Sequence, residues 1–173
     1  LEAEGRHGFG ASRPGGAEIL LHTVQVVLGT HPDRAWVQLD VANAFPGVSR
    51  QAVLDAVTEH APALLPMAEM FLRRASSFVF QDATGHGVEL RATLGVEQGD
   101  VLGPLLFAVA FRQPLEELRE ALLTRLETVH GHSRAEAEAQ IVIGAYLDDV
   151  LVGLPAGAAA RVPELAAEAF ARA

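Results

Sequence analysis

Apolar residues fall into stretches of two different periods along this chain. "ILLHTVQVVLG" (19–29) carries them at helical spacing, and Gly29 predicts a stop there. The glycine-rich stretch before it, through residue 18, reads as a loop, and "THPD" reads as a turn. "AWVQLDVANAF" (35–45) opens as a β-rich run in which Trp36, Val37 and Leu39 lead to Asp40, and Pro46-Gly47 breaks it. Ser49 is placed to cap the next helix. From Arg50 to about Ser76 the spacing of Val53, Leu54, Val57, Leu64, Leu65, Met70, Phe71 and Leu72 predicts helix, divided by Pro62 and Pro66.

"SFVFQ" and "VELRATLG" flank "DATGHG" and predict a β-hairpin with a Gly-containing loop. The longest pattern follows a glycine-punctuated turn. Over 104–129, Leu105, Leu106, Val109, Leu115, Leu118, Leu122, Leu126 and Val129 form one helical stripe. Glu116, Glu117, Arg119 and Glu120 cover the other face, and Pro114 predicts a kink. Ser133 and Glu136 have capping-box spacing for a short helix. "QIVIGAY" (140–146) and "VLVGL" (150–154) read as two strands with Asp148 and Asp149 at the tip between them, and the last eighteen residues read as helix. Mixed elements in this order, without repeats or a low-complexity linker, predict a single α+β unit.

The Asp pair is the feature that packing does not ask for. Adjacent carboxylates flanked by apolar strands repel one another, and burying them unpaired costs several kcal/mol, on the order given for buried ions. Two readings stay open on spacing alone: a solvated polar turn, or a cation site. Asp40, 108 positions before Asp148, ends another β run, where a single Asp is usually a cap or a turn residue and a ligand role is the other reading. Hard divalent cations such as Mg²⁺ take carboxylate oxygens and keep sites for water and phosphate.

Composition narrows the classes. The 173 residues contain no Cys, which excludes disulfides and thiolate metal sites and fits a reducing compartment. Nothing approaches the roughly 18 apolar residues of a membrane span, and the start lacks the layout of a signal peptide. Net charge is −9, and all 13 cationic residues are Arg. That balance argues against a free-standing nucleic-acid binder, whose affinity rests on phosphate neutralisation.

Three separated stretches, in order, resemble the palm motifs of reverse transcriptases. "LDVANAF" (39–45) resembles the first, an Asp followed five positions later by an aromatic residue. "GVEQGDVLGPLLFA" (95–108) resembles the second, the Gln-Gly-Asp-x-Leu-Gly-Pro signature of non-LTR retrotransposon enzymes. "YLDDV" (146–150) resembles the third, the Tyr-x-Asp-Asp hairpin. "GFGASRPGGAE" (8–18) is similar to the segment at the fingers–palm boundary of those enzymes.

The resemblance implies an α+β fold: a polymerase palm-like small antiparallel sheet backed by helices on one face, with partial fingers at the N-terminus. Residues 1–35 would be partial fingers, and 36–173 a palm stopping before the thumb. Asp40 and Asp148 would hold two Mg²⁺ or Mn²⁺ ions, with Asp149 a supporting carboxylate beside them. Phe45 would pack against the nucleotide sugar and reject a 2′-hydroxyl. Gln98 and Gly99 would lie against nucleotide and template base, and Tyr146 near the primer end. The implied activity is RNA-directed DNA synthesis, with RNA template, DNA primer and dNTP as partners, no membrane, and a nuclear location. The basic surfaces that grip nucleic acid would lie in fingers and thumb segments outside this stretch. Two alternatives remain beside it: a non-catalytic palm-fold remnant serving as a scaffold, and a relative that polymerises RNA.

Overall fold

A computed structural model describes residues 5–11, 13–97 and 99–171. Its centre is a three-stranded, wholly antiparallel sheet built from β1 (Arg34–Asp40), β4 (Val142–Tyr146) and β5 (Asp149–Pro155), ordered β1-β5-β4. β5 forms because its apolar residues alternate: Val150, Val152 and Leu154 are fully buried on one face. Val37 and Leu39 of β1 pair with Val152 and Val150, and Ile143 and Ala145 of β4 join them from the other side. Arg34, Trp36, Gln38, Asp40, Leu151 and Asp149 occupy the opposite face.

Helix α5 (Gly103–His130) forms the common core with the buried sheet face through Leu106, Val109, Leu115, Leu118, Leu122 and Leu126. The stripe is wider than its leucines suggest, since Phe107, Ala110, Phe111 and Leu123 are buried too. Val129, expected on the stripe, is 59% exposed in the helix's last turn. The helix runs through Pro114 to Gly131, which closes it in a left-handed conformation. The other helices are α1 (Gly16–Thr30), α2 (Ala44–Gly47), α3 (Arg50–His60), α4 (Leu65–Leu72), α6 (Arg134–Gln140) and α7 (Val162–Phe170).

Helix α1 begins earlier than its apolar spacing indicates and continues one residue past Gly29, where His31 donates its N–H to Val27 O. Its Leu20 lies over Gly144 of β4 on the open sheet face, so helices do not back one face alone. Ser49 caps α3, accepting from Ala52 N at 3.3 Å, and the Ser133–Glu136 capping box starts α6. Pro62 opens a 3₁₀ turn just after α3, whereas Pro66 sits in the first turn of α4, where a missing N–H costs nothing.

The second sheet is the hairpin β2 (Ser76–Gln81) and β3 (Gly87–Ala92). Phe78 faces Leu90 and Phe80 faces Val88, and every residue from Ser77 to Arg91 is exposed. No helix among the described residues is long and apolar enough to cross a membrane.

Candidate active site

Asp40 is the last residue of β1, and the strand register sets it directly opposite Asp149, the first residue of β5. Val41 N donates to Asp148 O at 3.4 Å, bridging the residues on either side of that pair. Asp40 and Asp149 therefore form a non-hydrogen-bonded pair, the kind whose side chains stand closest. The β4–β5 hairpin turns on just two residues, Leu147 and Asp148, and closes on the Tyr146–Asp149 pair. Asp149 is thus a strand residue and not part of the tip, where the sequence suggested both carboxylates would sit. Three acidic residues from distant parts of the chain reach one end of one sheet.

Leu147 adopts φ 58°, a left-handed conformation uncommon outside glycine. A cover over the turn comes from the N-terminal segment. Phe9 N donates to Ala145 O and Ala145 N donates to His7 O, both at 2.8 Å, so residues 7–9 run parallel beside β4. At Gly10 a Cβ would lie 2.7 Å from Leu147 N, so the close approach to the turn needs glycine. Arg6 holds this segment to α5 through a two-pronged bond to Glu116, 2.8 Å at each oxygen. That bond keeps the Glu116 carboxyl below its ordinary range. His7 is half-buried, its Nδ1 3.3 Å from Ile143 O, and burial pushes its pKa down despite Glu116 at 3.7 Å from Nε2.

Phe45 lies in the short α2 and not on a strand, because β1 stops at Asp40 and Asn43 turns the chain at φ 54°. Its ring is half-buried and stacks on Phe107 at 4.8 Å between centroids. Phe107 stacks in turn on Phe111 at 5.1 Å, which anchors the α2 turn to α5. Gln98 lies outside the described residues. Gly99 is exposed at φ 93°, in the loop between β3 and α5. Asp100 orders that loop: its carboxylate accepts from Leu102 N at 3.0 Å and its own N–H reaches Glu97 O at 3.3 Å. Tyr146 ends β4, 40% exposed beside the carboxylates.

The donor chemistry at this end of the sheet suits a hard divalent cation: carboxylate oxygens, rigidly based, with no hydrogen bond or ion pair to another described residue. The side chains are not gathered around one point. Among the described residues no group of three or more His, Cys, Asp or Glu side chains is arranged to hold a metal ion. The backbone register fits such a site, and the carboxylate orientations do not complete it.

Two residues that sequence reasoning passed over tie the site together. Gly95, at φ 78°, places its would-be Cβ 2.5 Å from the Pro46 carbonyl oxygen, so the loop before α5 presses on the α2 turn. Gly95 N donates to Val48 O at 2.8 Å and Val96 N to Phe45 O at 2.9 Å. The second is Arg50, a buried cation whose position after a capping serine gave no hint of burial.

No protein-family profile matches the chain. Residues of this chain are 32% identical over 119 positions to the retrotransposable element SLACS 132 kDa protein of Trypanosoma brucei gambiense. The match takes in 68% of this chain and 9% of that protein, so the chain spans a small part of its relative's length. Among solved structures, telomerase from Candida albicans bound to a TWJ fragment of telomeric RNA superposes with a TM-score of 0.65 at 10% identity. That likeness covers 99% of this chain and 30% of the telomerase chain. Apo telomerase from Candida tropicalis, truncated from its C-terminal domain, gives a TM-score of 0.60 at 8% identity, over 97% of this chain and 33% of that one. The motif stretches, the sheet that joins the first to the third, and these likenesses together identify a reverse-transcriptase-like region with the polymerase fold.

Proposed function

We propose that this chain is the palm portion, with partial fingers before residue 36, of an RNA-directed DNA polymerase of a retrotransposon-type element. The observation that carries the proposal is the placement of Asp40 across from Asp149, with Asp148 in the adjoining turn. Like charges directly opposite on neighbouring strands destabilise a sheet, and a shared cation reverses that. Two Mg²⁺ ions, when bound, would activate the primer 3′-hydroxyl and neutralise the leaving pyrophosphate. Asp40 and Asp148 would hold them, with Asp149 supporting.

The remaining residues position substrate, which is most of what phosphoryl transfer asks of a protein. Phe45, braced on Phe107, would oppose a ribose 2′-hydroxyl and so favour dNTP. Gly99, without a side chain, and Gln98 beside it would let nucleotide and template base approach the backbone. Tyr146, exposed beside Asp149, would meet the primer end. The net charge of −9 leaves the grip on RNA template and DNA primer to fingers and thumb segments elsewhere in a longer polypeptide.

The test is primer extension by the full-length polypeptide on an RNA template with dNTP and Mg²⁺. Asp148→Asn should lower incorporation by about 10³-fold or more with an unchanged circular dichroism spectrum. Retention of activity within tenfold would remove Asp148 from the ligand set. The ungathered carboxylates favour a second reading, a non-catalytic palm-fold scaffold. A Mn²⁺ titration separates the two: saturable binding lost in Asp148→Asn belongs to the polymerase, and none at millimolar ion belongs to the scaffold.

A further inference from the structure

Arg50 is 6% exposed, and no other charged side chain among the described residues is buried so deeply. A buried guanidinium is costly unless its donors are met, and here three acceptors from two separate segments meet them. Nε donates to Gly95 O at 3.0 Å. Nη1 donates to Arg74 O at 2.6 Å, and Nη2 to Ser76 Oγ at 2.8 Å. Nη2 also stands 3.6 Å from the half-exposed Glu97 carboxylate. Arg50 thereby joins the exit of the α2 turn, the root of the exposed hairpin and the loop that leads to Gly99.

The loop from Gly95 to Glu97 is tied at four points to residues 45–50. Val48 and Phe45 carbonyls take its first two N–H groups, and Arg50 takes the Gly95 carbonyl and faces Glu97. A loop held this way cannot shift against Phe45 without breaking charge-assisted bonds. We infer that Arg50 is a positioning residue: it sets where the Gly99 loop stands relative to Phe45, and so how tightly the site holds a nucleotide and reads its sugar. It touches no substrate itself. The inference rests on the polymerase reading above and adds a residue to it.

Steady-state extension by the full-length polypeptide tests it, with Arg50→Lys as the main variant. Lysine keeps the charge but cannot reach three acceptors in a fork geometry. The expected result is a KM for dNTP raised about tenfold with kcat within threefold of wild type. Discrimination against rNTP should fall by a similar factor, while KM for primer–template stays unchanged. A purely structural role would reduce the active fraction and leave both KM and sugar discrimination where they were, and that outcome overturns the inference while leaving the polymerase reading intact. Absence of incorporation by the wild type sinks the polymerase reading itself. Should Arg50→Lys fail to fold, Glu97→Gln, which removes a single tie, reads the same quantities: a raised KM for dNTP with weaker sugar discrimination supports the inference, and wild-type values overturn it.

Discussion

The two sheets of this chain use similar apolar residues and treat them in opposite ways. In the three-stranded sheet, Val150, Val152 and Leu154 are wholly buried under α5. In the β2–β3 hairpin, Phe78, Phe80, Val88 and Leu90 share one face and remain 45–62% exposed. A two-stranded ribbon is marginal by itself, so the hairpin depends on its root, where Arg50 holds Arg74 O and Ser76. The carboxylates stand on the first kind of support. Burial on one sheet face gives Asp40 and Asp149 a backbone with little slack, whereas the hairpin is held through hydrogen bonds at one end.

Truncations in the two regions should therefore differ widely. Leu118→Ala, in the centre of the α5 stripe, should cost about 2–5 kcal/mol in urea unfolding, and Leu154→Ala in β5 a comparable amount. Leu90→Ala, the same change on the hairpin, should cost less than about 0.5 kcal/mol, as surface substitutions do. Equal losses at Leu154 and Leu90 would mean that the hairpin is covered in solution and the contrast is void.

A smaller effect sharpens the comparison at the site itself. Because Asp40 and Asp149 are directly paired, Asp149→Asn should stabilise the chain by about 0.2–1 kcal/mol in metal-free buffer. Adding millimolar Mg²⁺ should then raise the wild type's unfolding midpoint and not the variant's, by linkage. If Asp149→Asn is destabilising without metal, the pair is not in conflict, and the argument from repulsion fails.

Much of this was legible in the sequence wherever one local rule decides the outcome. Period-two alternation in 150–154, the Ser49 cap and the Ser133–Glu136 box each follow from a few neighbouring residues. The turn at Leu147 was not legible, because a two-residue hairpin asks for a left-handed first residue and leucine rarely supplies one. A longer tip holding both Asp residues was the natural reading, and it misplaces Asp149. The pattern puts Phe45 at the end of the β run, because nothing in "VANAF" announces that Asn43 turns the chain there. Arg50 and Gly95 meet across 45 residues, and no periodicity carries that information. The motif resemblance named Asp40, Asp148 and Asp149 together, and only the register shows which two face each other.

Acid should separate the two regions by the smallest and most local of these effects. His7 is held beside β4 in a half-buried position, and burial lowers its pKa below the usual 6.5. The folded state disfavours the charged ring, so unfolding takes up a proton that folding refuses. Stability at that edge is complete above about pH 6.5 and declines as pH falls toward the lowered value. In the hairpin loop the sign is the same, and the window lies at lower pH. Asp82 accepts from the Thr84 hydroxyl and from the Thr84 and His86 N–H groups, which depress its pKa below 3.8. Its contribution is present above that ordinary value and disappears only as pH falls through the lowered one. Hydrogen exchange of the Ala145 and Phe9 amides, corrected for intrinsic rates, should thus show protection falling between pH 7 and 5 while the His86 amide keeps its own. His7→Gln should flatten the first curve and leave the second unmoved. Loss of protection at both places together over that range would show that the edge segment and the hairpin open as one unit, and that the sheet bearing the carboxylates is no firmer than the ribbon beside it.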